Sequence, residues 1–171
     1  METTDKFDVF TYEQRYADGR CLFKEGNNTI YMFETDEGYG KHVIPDDPAT
    51  VATQILYYPD TLTVSCVGEF IKEFEIQIGV WRNYDKFGEV EQEDNMDEHY
   101  PVSWKEMQGR FLANDIRFDD IRQLKRTKDR ETGRYVWILV LNAPKGTMDV
   151  AHFDAETGEL IKRNKSNIHN L

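Results

Sequence analysis

Short runs of apolar and polar residues in alternation, broken by Gly, Pro, Asn or Asp, fill the first half of the chain. A two-residue period places one face of a strand in a core, whereas a helix needs a 3.6-residue period. Residues 7–16 and 20–25 read as strands flanking Ala17-Asp18-Gly19, because Asp-Gly between strand-like runs supplies the positive φ of a tight hairpin. Gly26-Asn27-Asn28 turns the chain into Thr29-Ile30-Tyr31-Met32-Phe33, rich in strand-forming residues. This predicts a meander of three short strands. Glu37-Gly38-Tyr39-Gly40 and Pro45-Asp46-Asp47-Pro48 are expected to break it.

Val51 to Leu56 fits both a short helix started at Asp47 or Thr50 and an extended run, so its type stays open. Tyr57-Tyr58-Pro59-Asp60 is a turn. Leu62 to Val67 alternates at period two, and Glu69 to Ile76 continues as a second strand. Gly79 and Gly88 bracket a hairpin, which Glu89-Val90-Glu91 leaves as a further strand. The carboxylates Glu89, Glu91, Glu93, Asp94, Asp97 and Glu98 then form an acidic linker ahead of Pro101.

The second half has another rhythm. Ser103-Trp104-Lys105-Glu106 is a capping box, and Trp104, Met107, Phe111 and Leu112 keep helical spacing. A helix from Ser103 to Ala113 is expected, ended by Asn114-Asp115. Strands follow at Ile121–Arg126, Tyr135–Leu141, Met148–Asp154 and Leu160–Lys162, with turns at Glu131-Thr132-Gly133, Pro144-Lys145-Gly146 and Glu156-Thr157-Gly158. The seven apolar residues from Tyr135 predict a central strand buried on both faces. The polar tail from Arg163 is expected to fray. The expected fold is α+β: mostly antiparallel meander and hairpins over residues 1–98, then a helix packed on a four-stranded antiparallel sheet over 99–171.

Charge narrows the partner. Among 171 residues, 32 are acidic and 21 basic, a net charge of −11. Such a surface repels phosphate backbones and anionic lipid, which argues against nucleic acid, and it attracts a basic protein surface. Acidity that serves only solubility is the alternative. No apolar run approaches the length of a membrane span, and Met1 to Asp8 lacks a secretory apolar region. The expected location is cytoplasmic, or periplasmic if a signal has been trimmed.

Candidate chemistry is thin. Cys21 and Cys66 sit in strand-like segments and read as free buried thiols, a single disulfide being the alternative. Neither lies in a nucleophile motif. Met96 and the absence of a central glycine break calcium-loop spacing in Glu93 to His99. His42, His152 and His169 show no zinc spacing. Arg122, Lys125, Arg126, Lys128 and Arg130 read as a solvated strand edge. No enzyme, metal or cofactor is predicted.

Two resemblances refine this. Gly79, Trp81, Tyr84 and Gly88 fall on the Gly-x-Trp-x-x-Tyr-x-x-x-Gly pattern, so residues 56–94 resemble a MORN-type hairpin repeat. Tyr57 to Leu62 with Gly68 is similar to a preceding half-repeat, with Asp60-Thr61 where the family prefers Asn-Gly. Tyr16 to Arg20 is similar to an eroded copy. The resemblance implies a scaffold and binding surface of the kind found in bacterial antitoxin-like proteins. The four motif residues would pack the hairpin, a lone repeat needing some other cover. Residues 99–171 resemble a PepSY-like module, through helix, four strands and the ending Asp154-Ala155-Glu156-Thr157-Gly158. That likeness implies binding or inhibition without catalytic residues.

The functional expectation is an acidic immunity or antitoxin-like protein that occludes a toxin domain, a basic partner meeting the carboxylates from Glu89 to Glu98. The alternatives are an envelope-associated PepSY-type inhibitor or chaperone of an exported enzyme, and a small-ligand-binding protein.

Overall fold

A computed structural model describes residues 5–47, 51–145 and 147–167. The protein is mostly antiparallel β with two α-helices among the described residues, broadly an α+β fold. It forms two compact units, one ending at Met96 and the other starting at Asp97.

The first unit holds helix α1 (Val9–Arg15) and strands β1 (Tyr16–Ala17), β2 (Arg20–Glu25), β3 (Asn28–Thr35), β4 (Gly38–Pro45), β5 (Val51–Tyr57), β6 (Val64–Ile71), β7 (Ile76–Tyr84) and β8 (Val90–Asn95). They form one eight-stranded sheet in which spatial order equals sequence order. Asp18 and Gly19, at φ 52° and 80°, make the two-residue turn that pairs Ala17 with Arg20.

Several expectations change here. Residues 9–15 are helical, because Asp8 accepts hydrogen bonds from the Thr11 amide (2.9 Å) and hydroxyl (2.6 Å) and so caps a first turn. Gly38-Tyr39-Gly40 lies inside β4 rather than ending the meander. The Phe33 ring occupies the place where a Cβ of Gly40 would stand. Val51 to Leu56 is a strand, while Thr50 and Pro48 lie outside the described residues. Gly68 is inside β6, and the chain reverses at Lys72–Glu75 instead. Gly79 makes no hairpin turn. It sits in β7 at φ 67°, where the register between β6 and β7 shifts past Gly68. The reversal after β7 belongs to Asp85, whose Oδ1 accepts from the Phe87 and Glu89 amides. The expected acidic linker is edge strand β8, paired to β7 through Asn95.

One face of this sheet carries the unit's core: Cys21, Ile30, Met32, Ile55, Tyr57 and Val64. Phe7 closes it, stacked on Tyr39 at 4.6 Å, with its amide donating to the Leu62 carbonyl oxygen at 2.9 Å. Tyr12 of α1 packs beside it.

The second unit contains helix α2 (Trp104–Ala113), a 3-10 turn (Phe118–Asp120), and strands β9 (Ile121–Lys128), β10 (Tyr135–Leu141), β11 (Thr147–Asp154) and β12 (Leu160–Asn167). The sheet order is β12-β11-β10-β9, all antiparallel. The capping box forms: Ser103 Oγ accepts from the Glu106 amide and Glu106 Oε2 from the Ser103 amide. Trp104 stacks on Trp137 at 5.8 Å and Phe111 meets Phe153 edge-on at 4.9 Å, which seats the helix on β10 and β11. Leu112, expected on this apolar face, is 66% exposed.

In β10, Val136, Trp137, Leu139 and Leu141 are buried while Ile138 and Val140 are half-buried, so burial on both faces is incomplete. The tail does not fray at Arg163, because β12 pairs with β11 through Asn167; Ile168 to Leu171, and with them His169, lie outside the described residues.

Two reversals share one device. In Asp129-Arg130-Glu131-Thr132-Gly133 and Asp154-Ala155-Glu156-Thr157-Gly158, the aspartate Oδ1 accepts from the next two amides after its neighbour. The aspartate carbonyl oxygen accepts from the glycine amide. Gly133 and Gly158 stand at φ 71° and 70°.

Candidate functional site

The sheet face opposite the first unit's core is the most site-like surface. Cross-strand pairing sets it out in rows: Tyr31–His42–Gln54–Gly68, and Phe33–Gly40–Leu56–Cys66–Asn83. Alternation along each strand then puts Phe70 and Trp81 on the same side. The result is a groove of about 950 Å³ whose lining includes Phe33, His42, Gln54, Phe70, Trp81 and Asn83. Asp36, Glu37, Glu75 and Glu91 also line it, and among the described residues no Lys or Arg does.

Two aromatic rings shape the floor, each lying on a glycine. Phe33 lies on Gly40, and Trp81 on Gly68. The Trp81 Nε1–H donates to the Glu69 carbonyl oxygen at 3.1 Å, which fixes the indole at 5% exposure. Tyr84 is half-buried, and its carbonyl oxygen accepts from the Tyr58 hydroxyl at 2.6 Å. Gly88 closes the β7–β8 turn, its amide donating to the Asp85 carbonyl oxygen at 3.1 Å.

His42 stands among rings, with Phe33 and Phe70 both at 4.9 Å. Its Nε2 lies 3.1 Å from Gln54 Oε1, the imidazole donating. Burial lowers its pKa, more than the Gln54 hydrogen bond raises it, so the ring is held neutral at neutral pH. Cys66 lies in the same groove as a free thiol. Burial first, and then the Asp94 charge, raise its pKa and keep it protonated. Cys21 is also free and lies in the core, where burial raises its pKa as well.

The six predicted contact carboxylates separate. Glu89, Glu91 and Glu98 are exposed. Glu93 is engaged by Arg82 at 2.6 Å across the β7–β8 ladder. Asp94 is half-buried and accepts from the Gln92 side-chain amide at 2.8 Å. Asp97 takes a hydrogen bond from Arg126 at 2.7 Å. That arginine corrects the expected solvated basic edge: its side chain is 7% exposed, with the guanidinium 3.8 Å over the Tyr100 ring and 4.9 Å over Trp137. Arg122, Lys125, Lys128 and Arg130 are exposed, on or just beyond edge strand β9.

The second unit has a smaller cavity of about 570 Å³ beside Asp149 and Arg163. Arg163 grips Asp149 through Nε (3.0 Å) and Nη2 (2.9 Å), while Nη1 donates to the Asn114 carbonyl oxygen at 3.3 Å. Those bonds tie β12 to β11 and to the end of α2. The hydrogen bonds from Arg163 hold the Asp149 carboxyl below its ordinary range. Among the described residues, no three His, Cys, Asp or Glu side chains come together as a metal site, and no helix is long and apolar enough to cross a membrane.

Compared with family models, curated proteins and solved structures, the chain has no match. The groove residues Phe33, His42, Gln54 and Phe70 were not singled out by the sequence. Their signal was the shared period-two phase of β3 to β6, visible only once the strands are paired in order.

Proposed function

We propose that this protein is an acidic protein-binding module, of the immunity or antitoxin kind, that occludes a basic partner such as a toxin domain and performs no catalysis of its own. The observation carrying this reading is the edge strand β8, which turns Glu91 and its neighbour Glu89 to solvent on a protein of net charge −11. An edge strand offers unpaired backbone groups to a partner, and carboxylates beside it select a cationic one. The resemblance of residues 56–94 to MORN-type hairpins and of 99–171 to PepSY-like modules supports the same reading, since both are binding scaffolds.

The test is co-purification from the native host, followed by association kinetics of the captured partner. The wild type is expected to bind a basic protein at a rate that falls with added salt, and the double variant Glu89→Lys, Glu91→Lys to bind more slowly. A partner bound equally fast by both, or no protein partner at all, overturns the proposal.

A further inference from the structure

We propose that the groove of the eight-stranded sheet is the seat for a lysine or arginine side chain projecting from the partner protein. This rests on the protein-binding reading and adds the place where specificity is exercised. The lining holds the ring of Phe33, half-buried, and those of Phe70 and Trp81, 7% and 5% exposed, together with four carboxylates and, among the described residues, no Lys or Arg. An aromatic face attracts a cation through its quadrupole, more strongly once the cation is partly desolvated. The rim carboxylates supply the charge complementarity that a basic side chain needs. His42 adds no positive charge against it, because burial keeps the ring neutral. The side-chain amide of Asn83 lies in the same lining and can accept from a guanidinium.

Two other features fall short of this. The Asp149–Arg163 cavity is spent on tying β12 in place. The pocket beside the twin turns mixes Glu98, Arg134 and Glu156 without a consistent sign.

The experiment is an amide-correlation NMR titration of the full chain with a capped Gly-Gly-Arg-Gly-Gly peptide, its citrulline counterpart, and free agmatine. The arginine peptide is expected to shift the Trp81 indole N–H and the side-chain amides of Gln54 and Asn83. The citrulline peptide should bind at least fivefold more weakly. Glu37→Gln with Glu91→Gln, both exposed in the wild type, should weaken the arginine peptide about threefold while leaving the spectrum folded. Three results overturn the inference: equal binding of citrulline and arginine peptides, shifts confined to β8 with none at Trp81, Gln54 or Asn83, or agmatine binding more tightly than the peptide. The second leaves the protein-binding reading standing; the co-purification above tests that reading separately.

Discussion

The indole of Trp81 rests on Gly68 so closely that a Cβ at position 68 would come within 2.0 Å of the ring. The hydrogen bond from Nε1 to the Glu69 carbonyl oxygen holds the ring there. The ring cannot swing away without breaking it. Gly68→Ala is therefore expected to destabilise the first unit by about 2–3 kcal/mol through overpacking. Gly40→Ala meets Phe33 at 2.2 Å, but that ring is half-buried and can yield. It should cost about 1 kcal/mol. Urea unfolding of the two variants reads the difference directly; equal losses would refute the role given to the indole hydrogen bond.

Charge reversal should separate carboxylates that meet solvent from one that holds the fold. Glu89→Lys and Glu91→Lys are expected to leave stability within about 0.5 kcal/mol, as for exposed positions generally. Asp97→Lys places a cation beside the Arg126 guanidinium, whose side chain is 7% exposed, and should cost about 3 kcal/mol. Thermal melts of the three variants check this.

Breaking the Asp149–Arg163 pair should cost more than replacing it. Arg163→Met leaves a carboxylate that is 9% exposed, with Lys165 at 3.7 Å as its remaining ion-pair partner among the described residues. The expected loss is about 2–3 kcal/mol, discounted because Arg163 itself is partly exposed. The double variant Asp149→Leu, Arg163→Met should recover part of that loss. A double-mutant cycle by denaturant unfolding gives the coupling.

His42 makes stability depend on pH. Its folded pKa lies below the ordinary 6.5, so the unfolded chain binds the proton more readily. The contribution is complete above about pH 6.5 and is lost as pH falls from there through the folded pKa. His152, lowered by burial and then by Lys162, acts with the same sign. His42→Gln should make the fall in stability between pH 7 and 5 shallower without abolishing it, measured by urea unfolding across that range.

The twin turns should respond unequally to the same substitution. Gly133→Ala and Gly158→Ala both place a side chain at positive φ, costing about 1 kcal/mol or more. Around Gly133 the added methyl meets no described residue within 4 Å, whereas at Gly158 it meets Arg110 at 3.2 Å and Met107 at 3.4 Å. Gly158→Ala is expected to lower the melting temperature further.

Local signals carried much of the fold. The Asp18-Gly19 turn, the Ser103 capping box and the strands from Ile121 to Lys162 were legible because each depends on residues a few positions apart. One error has a local cause and the others a long-range one. Asp8 turned an apparent strand into α1 through a single cap. Gly40 looked like a break and Gly68 fell between two expected strands, because the rings of Phe33 and Trp81 that cover them arrive from neighbouring strands. Arg126 looked solvated because Asp97 and Tyr100, which enclose it, lie more than twenty residues away in sequence.

The sequence by itself determined the antiparallel character, the helix of the second unit and the net acidity, since period, caps and charge are properties of short segments. Tertiary structure alone decided which side chains share a face. Strand register brought Phe33, His42, Gln54, Phe70 and Trp81 to one groove, and a slip of one residue in any strand would have turned its contribution to the opposite side.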